Sequence, residues 1–322
     1  MLRHQPKKCL TLSSRAKRWI CFFLASLFSA IVLSGAPTAP SRPRIFRIQG
    51  VQIFTTDIPQ ARAFYGKVLD NAHDCEWCEE VPGRTFSLNY GQVIGLSPVP
   101  SPAPSSLIEE ITLATENIEE LRRYFIAQKI QVSERKRMDN GLGPFLSVLD
   151  PEGHKITFVQ STSAPLRKPG YPHAPPNNVY LIHAGFIVHD RAATEHFYKD
   201  ILGFRPYWHG GMKDDQTDWV SMQVPDGTDW LEFMVNVSPD ADQRLRGVMN
   251  HIAIGVPDIH VAQKQLLANG VNLTEEPKIG RDGKWQLNLY DPDDTRIEFM
   301  EFTPKEKPCC SEFTGPHPGP KK

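Results

Sequence analysis

After residue 36 the chain has no apolar run long enough to cross a bilayer, a task that takes about 20 consecutive apolar residues. It has no glycine-rich phosphate loop and no Ser-His-Asp arrangement, so neither nucleotide phosphates nor serine hydrolysis is a starting point. It also lacks an excess of positive charge. Lys and Arg number 36 and Asp and Glu 37, and six of the basic residues (Arg3, Lys7, Lys8, Arg15, Lys17, Arg18) lie in the first 18 positions without an acid. The remainder holds 30 basic against 37 acidic residues. A body of that sign does not suit a nucleic-acid backbone, and no nucleic-acid partner is expected.

Cysteine is scarce. Cys9 and Cys21 belong to the N-terminal segment, Cys75 and Cys78 form a C-x2-C pair, and Cys309 and Cys310 are adjacent. Vicinal cysteines fit the paired ligand spacing of a zinc site badly. Disulfides among Cys75, Cys78, Cys309 and Cys310 are therefore expected, with connectivity open. The compartment follows from the N-terminus. A basic stretch precedes the uncharged run Trp19 to Gly35, which ends in small residues at Ser34-Gly35-Ala36. That is the order of an export signal, although Pro37 would hinder cleavage after Ala36. Residues 1–36 are expected to be a signal peptide or an N-terminal anchor. The body would then be periplasmic or extracellular and touch a membrane only through this segment if it is uncleaved.

What the chain does have is an internal repeat. Phe64-Tyr65-Gly66-Lys67-Val68-Leu69 matches Phe197-Tyr198-Lys199-Asp200-Ile201-Leu202, and Asp150-Pro151-Glu152-Gly153 matches Asp291-Pro292-Asp293-Asp294. The repeat predicts two similar domains, 45–161 and 179–303. Residues 162–178, rich in Pro, Gly, Ser and Asn, read as a linker, and the proline-rich residues 304–322 as a flexible tail. Within each domain the hydrophobic periodicity runs strand, helix, three strands, twice over. The fold class is therefore α+β, with four βαβββ modules.

Four polar residues interrupt hydrophobic strands in the second half: His183, Glu232, His251 and Glu298. Their spacings, His-x48-Glu and then His-x46-Glu, use one strand-to-strand interval twice. A carboxylate within a buried strand is costly unless compensated. Two imidazoles and two carboxylates converging from four strands would form a site for one divalent metal, and nitrogen with carboxylate oxygen suits Ni, Co, Mn, Fe or Zn. Trp219, Trp230 and Trp285 are read as lining a cavity or filling a core, and Lys284 and Arg296 as solvated or structural before anion-binding. Asn250, next to His251, is a candidate for orienting it.

The repeated module, the run Phe197 to Phe204, the Asp291-Pro292 turn ahead of Glu298 and the His/Glu/His/Glu set resemble the vicinal oxygen chelate superfamily. That group contains glyoxalase I, the type I extradiol ring-cleaving dioxygenases and the bleomycin-resistance proteins. The resemblance implies two glyoxalase-like domains, each a cup-shaped mixed β-sheet with flanking helices. It implies metal ligands at His183, Glu232, His251 and Glu298. In the first domain the matching positions hold Gly50, Ile94-Gly95, Glu110 and Thr157, so no metal is expected there.

The activity it implies is chelation of a small substrate through two adjacent oxygens. A glyoxalase-like lyase or isomerase would stabilise an enediolate-type intermediate, with Glu298 as general base. Ile187 stands where glyoxalase I typically has an arginine for glutathione. The alternative is an extradiol dioxygenase with Fe(II) on His183, His251 and Glu298. Against it, Gly280 to Trp285 contains no histidine and Tyr290 is displaced from that class's pattern. A non-catalytic binder of the bleomycin-resistance type is the third reading, and the intact ligand set argues against it.

Overall fold

The computed structural model describes residues 40–69, 85–88, 91–133, 136–137, 143–161 and 180–319. Residues 1–36, expected to be an export signal or anchor, residues 162–178, expected to be a linker, and Cys75 and Cys78 lie outside the described residues. Among the described residues no helix is long and apolar enough to cross a membrane.

Two mixed sheets carry the chain. The first holds β1 (Ile45–Thr55), β2 (Thr85–Ser87), β3 (Val93–Pro98), β4 (Ile108–Thr115), β5 (Lys136–Arg137), β6 (Pro144–Leu149) and β7 (Lys155–Gln160), in the order β2-β3-β1-β4-β7-β6-β5. The second holds β8 (Tyr180–Ile187), β9 (Arg205–Gly210), β10 (Trp219–Gln223), β11 (Trp230–Met234), β12 (His251–Val256), β13 (Lys278–Ile279), β14 (Trp285–Tyr290) and β15 (Arg296–Glu301). Its order is β13-β14-β15-β12-β8-β11-β10-β9.

The first and last strands of each module are parallel neighbours: β1 with β3, β4 with β7, β8 with β11, β12 with β15. Parallel neighbours need a crossover. Helices α1 (Ile58–Val68), α2 (Ile118–Ala127), α3 (Arg191–Glu195, continuing as a π-helical turn His196–Ile201) and, beyond the short α4 (Gln243–Met249), α5 (Ile259–Ala268) supply it. Each crossover helix starts where Asp57, Asn117, Asp190 or Asp258 accepts hydrogen bonds from first-turn N–H groups. Their apolar faces (Tyr65, Leu121, Phe125, Tyr198, Leu266) bury one side of the sheets. That leaves the other side free to line a cup.

The registers of the two sheets correspond position for position. Gly50 pairs Thr112, which pairs Thr157, and Gln52 pairs both Glu110 and Gly95. In the second sheet His183 pairs Ala253, which pairs Glu298, and Gly185 pairs both His251 and Glu232. Gly50, Gly95, Glu110 and Thr157 thus stand at the backbone places of His183, Glu232, His251 and Glu298. The lone acid among them, Glu110, pairs with Lys155 at 2.5 Å.

The sheets also exchange contacts through the repeated motifs themselves. The Tyr65 hydroxyl donates to Asp291 at 3.1 Å, and the Tyr198 hydroxyl donates to Asp150 at 3.0 Å. Each aspartate already accepts two backbone N–H groups of its own turn: Glu152 and His154 for Asp150, Asp293 and Thr295 for Asp291. The helix tyrosine of one half therefore reads the turn of the other.

One expectation is corrected, and two left open are decided. The segment expected to be a flexible tail is packed as far as Gly319. Cys309 C=O accepts from Trp208 Nε1 at 3.1 Å, His317 Nδ1 bonds the Tyr207 hydroxyl at 2.7 Å, and Gly319 C=O accepts from the Tyr180 hydroxyl at 2.7 Å. Its prolines exclude helix and sheet, but buried aromatic partners hold the strap without either. Cys309 and Cys310 are bonded to each other as a disulfide. Trp285 packs against His260 of α5, on the helix side of the sheet, and does not line the cup.

Candidate metal centre

Glu298, His251, His183 and Glu232 come from four strands adjacent in the second sheet, β15, β12, β8 and β11. A register shift between β8 and β12, at Ile182, sets the face on which His183 emerges. Gly185 makes the site possible. A Cβ there would lie 2.0 Å from His251 Cε1 and 2.4 Å from its Nδ1, so the glycine clears the space the imidazole fills. Sequence reasoning passed over Gly185, although a glycine two residues beyond a strand histidine is the signal of a close approach.

The donor atoms converge. His183 Nε2 lies 3.0 Å from His251 Nε2 and 3.6 Å from Glu298 Oε2, and His251 Nε2 lies 3.3 Å from Glu232 Oε2. His183, His251 and Glu298 each offer an atom within 4.8 Å of the others. Glu232 is outside that group of three and joins the cluster through His251. Both histidines are fully buried and Glu298 is 3% exposed. His251 Nδ1 bonds the Met249 carbonyl at 3.1 Å, which places its proton there and leaves Nε2 as a lone pair facing the cluster. The Ser221 hydroxyl donates to Glu232 Oε1 at 3.1 Å. Asn250, expected to orient His251, instead accepts from Ile187 N at 3.3 Å and donates to Arg246 C=O at 2.8 Å. It fixes the backbone on either side and does not touch the imidazole.

Electrostatics favour metal-competent forms of the imidazoles. Burial pushes His183 well down, against the pull of Glu232, with His251, Arg296 and Lys284 adding to the fall. Burial and Arg296 push His251 down, against Glu232. Both are neutral at pH 7, the form that binds a cation. Glu298 is pushed up to about 8 by burial, with Glu232 and Asp282 raising it further against Arg296 and Lys284. Burial works on Glu232 in the same sense, but the neighbouring His251 and His183 and the charge of Arg296 outweigh it and hold it down at about 2.

The donor set fits a divalent ion. Two ligand atoms about 2.1 Å from one ion and at right angles lie about 3.0 Å apart, which is the separation of the two Nε2 atoms. A cation would replace the His183–His251 hydrogen bond with two nitrogen ligands, and would hold Glu298 ionised. Because Glu298 keeps its proton below about pH 8 without metal, metal binding must expel that proton. Metal affinity is expected to rise with pH between 6 and 8, by up to about tenfold per unit, and to level off above it. Chelator competition at pH 6, 7, 8 and 9 checks this; a flat profile would contradict it.

A second group that lies close enough to share an ion, Asp214 with Cys309 and Cys310, is partly exposed. Its sulfurs are tied in the disulfide and are not thiolates, the form that ligates.

Residues 180–299 match the family model "Glyoxalase/Bleomycin resistance protein/Dioxygenase superfamily". Lactoylglutathione lyase of Haemophilus influenzae is 28% identical over 123 residues, 38% of this chain and 91% of that protein. Homoprotocatechuate 2,3-dioxygenase of Brevibacterium fuscum, in an anaerobic complex with 3,4-dihydroxyphenylacetate, is similar with a TM-score of 0.57 at 20% identity. The match covers 87% of this chain and 85% of that one. The Arthrobacter globiformis homoprotocatechuate 2,3-dioxygenase gives 0.58 at 21% identity, covering 82% of each. At these identities the structural likeness concerns the fold.

Proposed function

Since residues 180–299 belong to the glyoxalase, bleomycin-resistance protein and dioxygenase superfamily, we propose that this chain is a metal-dependent lyase or isomerase acting on a small substrate with two adjacent oxygens. The observation that carries it is the presence of both carboxylates, Glu298 and Glu232, against the two histidines. A divalent metal held by His183, His251, Glu298 and Glu232 supplies Lewis acidity toward the paired oxygens. Glu298 is the residue that takes and returns a proton at the carbon beside a carbonyl. Its tendency to hold a proton near neutral pH matches that role, since a general base works best with a pKa near the working pH. Glu232, held as a carboxylate and fixed by Ser221, stays a ligand. His251, locked through Met249, keeps its orientation throughout. The same proposal has the body exported by residues 1–36.

A second reading, ring cleavage by Fe(II), is favoured by one observation. The three residues mutually within 4.8 Å are two histidines and one carboxylate. Glu232→Gln separates the two. The lyase reading expects at least about tenfold weaker metal binding in a competition assay, because an oxygen ligand is replaced by a neutral amide. Unchanged metal affinity, together with oxygen uptake on catechols by the Fe(II)-loaded protein, would replace the lyase reading with the dioxygenase one.

A further inference from the structure

Lys284 is a charge with too few partners. It lies just ahead of β14, where alternation places it on the face of Gln286 and Asn288, and Asn288 pairs with Glu298. The side chain is completely buried. Its Nζ sits 4.5 Å from the Trp230 ring centre, 5.0 Å from Phe313 and 5.3 Å from Tyr207. Among the described residues its single hydrogen bond is a long one, 3.4 Å, to the Tyr207 hydroxyl. No carboxylate oxygen of those residues lies within 4.0 Å of it. Beside it is a second unmet donor. Trp230 Nε1 is buried and has no hydrogen-bond partner, and the Trp230 ring also stacks on His183 at 4.6 Å.

An ammonium and an indole N–H are donors only. Left unpaired in a buried wall, each carries a desolvation penalty, larger for the charged one. The three rings offset part of it through cation–π attraction but offer no acceptor along their faces. A group with several lone pairs and a negative charge would serve both donors at once. Burial lowers the Lys284 pKa to about 8, with Asp282, Glu298 and Glu232 acting against the fall, so the amine is still mostly charged at pH 7.

We propose that Lys284 and Trp230 form an anion pocket in the wall of the metal cup, which takes a carboxylate on the substrate while its paired oxygens face His183, His251 and Glu298. The inference rests on reading the cup as the substrate site, and it narrows the substrate to a small acid. The flat walls of Tyr207, Trp230 and Phe313 select a planar, unsaturated or aromatic body next to the carboxylate. One of those walls, Phe313, belongs to the C-terminal strap, held over the cup by Thr314 N on Tyr207 C=O at 3.0 Å and by the Tyr207–His317 bond.

The test is calorimetric titration of benzoate into the full chain at pH 7, both metal-loaded and chelator-treated, with benzamide as the neutral probe of the same shape. Benzoate is expected to bind in both states, at least tenfold more tightly than benzamide. Lys284→Met is expected to weaken it at least tenfold and to leave metal content unchanged. Trp230→Phe, which keeps the ring and removes only the N–H, is expected to weaken it three- to tenfold. It decides the matter if Lys284→Met fails to fold by circular dichroism. Equal binding of benzamide, unchanged benzoate binding in the folded variants, or no benzoate binding at all would overturn the inference. Benzoate binding by a protein that takes up no metal would support the pocket and remove the metal reading, so the two failures are distinguishable.

Discussion

The wild-type chain is expected to hold one divalent ion per molecule, and the His183→Ala, His251→Ala double variant is expected to hold none. The two imidazoles are the only nitrogen donors in the cluster, and their Nε2 atoms, 3.0 Å apart, define its centre. Loss of a single hydrogen bond behind a ligand costs about 10–100-fold in affinity. Removing both nitrogen ligands is expected to exceed about a thousandfold on that scale. What remains is Glu232 and Glu298, two buried carboxyl groups of which the second already favours its proton. Elemental analysis after dialysis, beside circular dichroism to show that the sheets persist, is the measurement. One ion per molecule in the double variant would place the metal elsewhere. Among the described residues the other candidate is Asp214 with Cys309 and Cys310, and repeating the analysis after mild reduction would reveal it.

Gly185→Ala tests the same centre without touching a ligand. The added methyl would stand 2.0 to 2.7 Å from three atoms of the His251 ring. That ring has no room to retreat, since it is fully buried, bonded at Nδ1 to Met249 and set edge-on to His183. Overpacking of this kind costs about 1–3 kcal/mol of stability. Swinging the ring aside would also move Nε2 out of line with His183 and Glu298. We expect metal affinity to fall about a hundredfold, at the upper end of the range for residues behind the ligands, with a lowered midpoint of chemical denaturation. The matching position of the first sheet is Gln52, opposite Glu110, where no imidazole has to be accommodated. Gln52→Ala therefore serves as the control, with metal content expected to be unchanged. Full metal affinity in Gly185→Ala would mean that His251 is not held where the structure places it.

The order of elements was legible in the chain because it rests on local physics. Asp and Asn at helix starts, alternating apolar residues in strands and the duplicated Phe-Tyr and Asp-Pro motifs act within a few residues of one another. The same holds for the absence of ligand types at Gly50, Gly95 and Thr157. The convergence of His183, Glu232, His251 and Glu298 was legible too, because four polar side chains in hydrophobic strands must share a partner to be tolerated.

Other features depend on which distant segments meet, and composition misread them. The strap looked mobile because prolines and lysines lack a periodic pattern, yet Tyr180, Tyr207 and Trp208 on the second sheet supply it with partners. Lys284 looked solvated because a lysine usually is, but aromatic rings from β9, β11 and the strap enclose it. Trp285 could be read as cavity lining or as core filler, and the pairing of β14 puts it on the helix side, against His260. The exchange of Tyr65 and Tyr198 between Asp291 and Asp150 was written in the repeat but visible only once the halves were set together. Residue type and spacing determined which groups need compensation. Tertiary packing alone decided which partner provides it, because burial and charge pairing are properties of the assembled neighbourhood and not of the residue.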